Sequence, residues 1–326
     1  MPHITLVEGI NLALARAMAQ DASVVVLGED VGRNGGVFRA TAGLQARFGE
    51  ARVADTPLAE GLIAGMAVGM AAEGLKPVAE IQFAGFAYLA IDQMLNHAAR
   101  LRHRTQGRLT CPMVLRTPVG AGIHAPEHHS ESPEAMFAHI PGLRVVSPSS
   151  PARAYGLLLA SIADPDPVVF LEPSRLYRRF KEALDDDGRA LPLDKAFVLR
   201  EGTDLTIVSW GAMVHEALAA ADALAAEDLF AEVIDLATLK PCDLDTVLAS
   251  VKKTGRCMVA SEAPRTCGLA SEISANVAEQ GLLSLLAPVE RVTAWDCVTP
   301  MARLEHRYTP DAARIVAAAR RLLAYQ

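Results

Sequence analysis

Asp55-Thr-Pro-Leu-Ala-Glu60-Gly-Leu-Ile-Ala-Gly65-Met-Ala-Val-Gly69, closing shortly afterwards on Ala79-Glu-Ile-Gln-Phe83, is the stretch on which the fold turns. Pro57 suits the first turn of a helix, and the apolar run behind it has no polar face, so the spacing predicts a buried helix over 57–73. The run from Leu62 to Ala72 is too short to span a bilayer. One carboxylate, Glu60, stands at the head of this helix. Either it is an N-terminal acid favoured by the helix dipole, or it is an acid shielded from water and suited to proton exchange with a heterocycle. Gly61, Gly65 and Gly69 recur every fourth residue and share one stripe, which implies close approach by a neighbouring backbone, within the domain or from another subunit.

Outward from that helix the chain alternates strand and helix. Thr5-Leu-Val-Glu8 has the form of a capping box and opens a helix to about Ala19. Val24-Val-Val-Leu27 reads as a buried parallel strand; strands at 78–83, 113–116, 145–146 and 168–171 and helices at 86–103 and 151–163 follow. Lys181–Asp194, interrupted by Asp185-Asp-Asp-Gly188, reads as an exposed linker. A second series follows, with strands at 205–209, 231–235, 257–261 and 289–295 and helices at 212–226, 243–250, 269–280 and 311–323. The expectation is α/β, two doubly wound domains, at 1–180 and 196–326 with a linker at 181–195.

At 326 residues the chain is long enough for two cores, and its net charge of −7 without a basic block argues against nucleic-acid binding. Five scattered cysteines (Cys111, Cys242, Cys257, Cys267, Cys297) form no CxxC pair, which fits a reducing cytoplasm better than a zinc site or disulfide framework. The start, Met-Pro-His-Ile-Thr, has no signal-peptide pattern, and a soluble, membrane-free protein is expected.

Glu29 follows an apolar strand, where open α/β sheets place ligands, but on the residues alone the reading as a solvated loop with Asp30 prevails. Gln82, Phe83 and Phe86 flank the end of another strand and alone would be core. In His124-Ala-Pro-Glu-His128-His129-Ser-Glu131 the first two histidines have helical metal-ligand spacing, but Pro126 makes a helix there improbable. A loop imidazole suits proton transfer or carboxylate binding, and spacing does not single out which one. No GxGxxG, GxxxxGK, GxSxG or HExxH occurs, which disfavours a stand-alone nucleotide-binding domain pair.

Together with Leu27-Gly-Glu-Asp-Val31, Gly35-Gly-Val-Phe-Arg-Ala-Thr41, Asp92-Gln93, His129-Ser130, Pro141-Gly-Leu-Arg-Val-Val146 and Lys253-Thr-Gly-Arg256, these segments resemble the beta subunit of the decarboxylating component of 2-oxoacid dehydrogenase complexes. The resemblance runs across nearly the whole chain. It implies a transketolase-like pyrimidine-binding domain followed by a transketolase C-terminal-like domain, working as an α2β2 heterotetramer with thiamine diphosphate. Diphosphate and Mg2+ would be held mainly by the alpha subunit's Gly-Asp-Gly motif, which is absent here. By the same resemblance Glu60 would hydrogen-bond the pyrimidine ring nitrogen, with Leu58, Ala59, Gln82 and Phe86 lining the pocket and Glu29, Tyr88 and Leu89 close by. Phe83 and His129 would face the 2-oxo acid, and His129 would assist acyl transfer to the lipoyl group of the acyltransferase component. A structural potassium ion would bind near Met113, Ser161, Ile162, Asp164 and Asp166, mostly through backbone carbonyls.

The His124–Glu131 segment looks more like pyruvate-type than branched-chain members. Branched-chain 2-oxoacid or acetoin dehydrogenase, or a non-catalytic assembly subunit, are the alternatives. Two departures stand out: Glu131 where many relatives have Gln, and Phe86 where branched-chain enzymes tend to carry Tyr.

Overall fold

Seven strands lie in the order Thr238–Lys240, Arg144–Val146, Val168–Pro173, Val114–Val119, Lys76–Glu80, Val24–Gly28, Val53–Asp55 in the computed structural model, which describes residues 1–325. All pairs are parallel except the first. Such a sheet is covered on both faces, so its strands are apolar throughout, and Val24–Gly28 is buried at every position. Successive residues still serve opposite layers. Val26, Val78 and Val114 pack with Leu6, Ile10, Leu14 and Leu157 on one side. Leu27, Ala79 and Leu115 pack with Ile63, Ala64, Ala67 and Ala71 on the other.

The helices behave as their ends dictate. Thr5 and Glu8 form the expected capping box, and the helix runs Leu6–Gln20. The helix Pro151–Ala163 matches its expected bounds, with Ser150 accepting the Arg153 N–H and Pro151 in the first turn. The glycine-striped helix is shorter than expected, Glu60–Ala72, and begins at Glu60 itself; Pro57 and Leu58 stay outside it. The helix expected over 86–103 is divided into short pieces. Ala84–Ala87 is α, Tyr88–Ala90 tightens to a 3-10 turn, Gln93–His97 widens to a π turn, and Leu101–Arg104 is α again. Apolar spacing over one turn does not distinguish these hydrogen-bond patterns, so the sequence reads as one helix.

The second sheet has the order Glu290–Ala294, Cys257–Pro264, Leu205–Ser209, Ala231–Asp235, Phe197–Arg200, parallel except for the last pair. Neither Phe197–Arg200 nor Thr238–Lys240 was legible as a strand. The latter comes from the second half of the chain but closes the edge of the first sheet, tying the two layers together. The segment between them is largely exposed yet fastened: Glu182–Ala183 pairs with His3–Ile4, and the Tyr155 hydroxyl donates to Asp186 (2.6 Å). Among the described residues no helix is long and apolar enough to cross a membrane.

Candidate active site

Gly28 stands in register with Asp55 on one side and Glu80 on the other, so the residues after these three strands emerge together at the carboxyl edge of the sheet. Glu29 is the first. It is buried, not solvated, and its Oε1 has no hydrogen-bond partner. Burial, and then the nearby charge of Glu60, pushes its carboxyl above the ordinary range. Asp55 shapes the loop that follows, accepting the backbone N–H groups of Gly32 (2.6 Å) and Arg33 (3.1 Å).

Glu60 is the first residue of its helix, where free N–H groups favour a negative charge. It is half-buried. Within this chain one side of Glu60 is open, and Leu58 and Leu89 nearby are 83% and 64% exposed, so any further shielding of the acid has to come from outside the chain. Ala59 is half-buried as the N-cap. The glycine stripe has an intrachain cause at two of its three positions: a Cβ at Gly61 would lie 3.4 Å from the Leu89 carbonyl oxygen, and one at Gly65 would lie 3.3 Å from Gln93. Around Gly69 the space is open.

The facing wall is made by the turn at Gln82–Leu89 and the loop that carries the histidines. Phe83 lies 3.8 Å from the His129 ring centre, Phe86 lies 5.5 Å from His129 and 5.7 Å from His128, and Phe38 backs Phe83 at 5.6 Å. Gly85 allows this approach, since a Cβ there would fall 2.1 Å from the His128 carbonyl oxygen. His129 is half-buried, its Nδ1 is buried without a partner, and burial followed by the neighbouring His128 lowers its pKa, favouring the neutral ring. Gln82 reaches Asp30 at 3.4 Å, and Tyr88 donates its hydroxyl to Glu131 (3.2 Å). His124 points elsewhere, its Nδ1 lying 2.8 Å from Glu305.

Beneath this edge is an ionic network that sequence reading did not single out. Arg116 forms a bidentate pair with Glu172 (2.7 and 2.8 Å) and also donates to Glu80, while the Tyr177 hydroxyl donates to Glu172. Arg116 and both carboxylates are buried. Burial raises the Glu80 carboxyl, with Arg116 pulling the other way; burial also raises the Tyr177 hydroxyl. The signal was present as three polar residues inside otherwise apolar strands.

The residues expected near a potassium ion gather at the opposite, amino-terminal end of the strands. Their side chains are committed within the chain. Asp164 pairs with Arg144 (2.9 Å), Asp166 with Arg102 (2.7 Å), and Ser161 donates to the Leu157 carbonyl (2.7 Å). The Met113 carbonyl accepts the Val168 N–H (3.0 Å), and Ile162 is buried core. Among the described residues no group of three or more His, Cys, Asp or Glu side chains is placed to hold a metal ion.

Residues 3–179 match the transketolase pyrimidine-binding domain and residues 194–315 the transketolase C-terminal domain. The chain is 51% identical over 322 residues to the pyruvate dehydrogenase E1 component subunit beta of Acholeplasma laidlawii, covering 99% of this chain and 98% of that one. It is 48% identical over 325 residues to the subunit of the same name from Bacillus subtilis, covering all of both. Among solved structures it is similar to a split-gene transketolase, an inactive beta4 tetramer, with a TM-score of 0.82, 25% identity and 99% coverage of each chain. The chain belongs to the pyruvate dehydrogenase E1 beta-subunit family, thiamine-dependent 2-oxoacid dehydrogenase components of the transketolase class.

Proposed function

We propose that this chain supplies the aminopyrimidine half of a thiamine diphosphate site that an alpha subunit completes, and that the α2β2 assembly oxidatively decarboxylates pyruvate and passes the acetyl group to a lipoyl-bearing acyltransferase. The observation that carries this reading is a set of unmatched polar groups at the carboxyl edge of the first sheet. Glu29 Oε1 and His129 Nδ1 are buried without partners, and Glu60 is only half-covered. Buried polar atoms are costly unless something binds them, so the edge fits a heterocycle bearing both donors and acceptors.

When bound, the coenzyme supplies an electron sink for loss of carbon dioxide. The chain's own part is to orient and exclude. Glu60 accepts a proton-bearing ring nitrogen at the head of its helix and holds the ring in one protonation pattern. Leu58, Ala59, Gln82, Phe86, Tyr88 and Leu89 border that position, with the exposed leucines covered by the alpha chain. Phe83 keeps water from the substrate side, and His129, whose neutral form burial favours, donates a ring N–H to the developing negative charge. Mg2+ stays with the diphosphate on the alpha subunit, since this chain has no Gly-Asp-Gly segment.

The test is turnover by the reconstituted heterotetramer with pyruvate and with 3-methyl-2-oxobutanoate. Faster turnover of pyruvate is expected; none with pyruvate overturns the substrate assignment. Full decarboxylation by Glu60→Gln would leave only an assembly role.

A further inference from the structure

Glu305 belongs to the helix Ala302–Tyr308 of the second domain, yet both of its carboxylate oxygens are engaged by a loop of the first. Oε1 accepts the Gly122 N–H at 2.6 Å, and Oε2 accepts the His124 N–H at 3.2 Å while lying 2.8 Å from His124 Nδ1. The Glu305 side chain is only 3% exposed, so water does not replace these donors. Apolar packing acts at the same point, where Ala121 joins Ala294 and Tyr308 in a small buried cluster.

The loop needs such a hold. Gly122 has φ +106° and His124 φ +60°; the second is a left-handed conformation that a side-chain-bearing residue rarely adopts without support. Four and five residues beyond His124 come His128 and His129, their rings packed at a tilt against Phe86 and Phe83. The far end is fixed as well, since the Gly120 N–H donates to the Glu131 carbonyl (2.8 Å). The path from 120 to 131 is therefore a closed loop, and the hold on its Gly122 and His124 backbone comes from a buried carboxylate of the other domain.

We propose that Glu305 is a positioning residue for the reaction: by clamping Gly122 and His124 it sets the distance at which His129 meets the substrate. The second domain would then be part of the catalytic geometry as well as of the assembly. This rests on the reading of His129 as substrate-facing.

The experiment uses the α2β2 holoenzyme with Glu305→Ala and Glu305→Gln, the second keeping volume and one acceptor in case the first fails to assemble. A fall in kcat/KM for pyruvate of about tenfold to a hundredfold is expected for Glu305→Ala, the scale of a small misplacement of a reacting group, with a smaller fall for Glu305→Gln. Affinity for thiamine diphosphate should stay within about twofold, because Glu60, Glu29 and Gln82 sit on other segments. Amide hydrogen exchange over 121–130 should rise in both variants while the second-domain core stays protected. In a His129→Ala background the Glu305 substitutions should add nothing further, because their effect passes through that ring. A full additional loss in that background, or unchanged exchange over 121–130, overturns the proposal. If the wild-type assembly turns over no pyruvate, the functional reading fails on its own, and the exchange measurement still decides whether Glu305 holds the loop.

Discussion

Two sets of carboxylates lie within a few residues of one another at the same edge of the first sheet, and they are treated in opposite ways. Glu80 and Glu172 share Arg116 deep in the strands, and each finds a donor within the chain. Glu29, one residue past the strand next to Glu80, is nearly as buried, but its Oε1 is left without a donor. Glu60 stands beside it with one side open. A buried charge costs free energy whichever set it belongs to, so the difference lies in what offsets the cost. Arg116 offsets it for the first pair. Glu60 has only its helix head and its open side, and Glu29 Oε1 has nothing in this chain, which is the condition expected of groups whose partners arrive with a ligand or another subunit.

The largest effect should come from breaking the satisfied set. Arg116→Met leaves two carboxylates facing each other without their cation and should cost about 3–5 kcal/mol in chemical or thermal unfolding. The sharper form of the experiment replaces all three charges, Glu80→Met, Arg116→Met and Glu172→Leu together. If pairing is what the network provides, the triple variant is more stable than the single one. If the single variant unfolds at the wild-type midpoint, the two sets do not differ in the way described.

The next effect is on chemistry, not stability. Glu60→Gln should lower decarboxylation by the assembled enzyme by about a hundredfold or more, the scale of losing a positioned proton acceptor. Its unfolding free energy should stay within about 0.5 kcal/mol of wild type, because Glu60 is half-exposed. A large stability loss would place Glu60 with Glu80 and Glu172.

This contrast also marks what could be read from the residues alone. The alternation of apolar strands and helices was legible because a parallel sheet covered on both faces leaves continuous Val and Leu runs, and the capping box at Thr5 and the Ser150–Pro151 start are local rules. The partition of 84–104 into α, 3-10 and π turns was not legible, because it depends on which carbonyl each N–H reaches. Glu29 was ambiguous for a related reason: solvated and buried loop acids look alike until Asp55 is seen folding the loop over. Glu305 carried no local signal, since its partners Gly122 and His124 lie 183 and 181 residues away and meet it only after both domains form. The resemblance named Glu29, Glu60, Gln82, Phe83 and His129 together, but it did not reveal that Glu60 is open within its own chain. That follows from the geometry of a helix head whose neighbours, Leu58 and Leu89, have no cover of their own.

The smallest effect is the one that tests the comparison most directly. Burial and the charge of Glu60 raise the Glu29 pKa, so folding favours the protonated form. The stability this group contributes is fully present below the ordinary glutamate range and is lost as pH rises through the raised value. Glu29→Gln imitates the protonated acid at every pH. The variant should therefore match wild type in acid and become more stable than it at neutral pH, because the amide carries no charge to be desolvated or repelled by Glu60. Combining it with Glu60→Gln should shrink that gain, because part of the strain on Glu29 comes from its neighbour's charge. Paired unfolding curves across pH for the four proteins measure both effects. A Glu29→Gln chain less stable than wild type at neutral pH would mean that Glu29 is charged and compensated, as Glu172 is. The distinction between a carboxylate the fold satisfies and one it leaves for a ligand would then not hold at this edge.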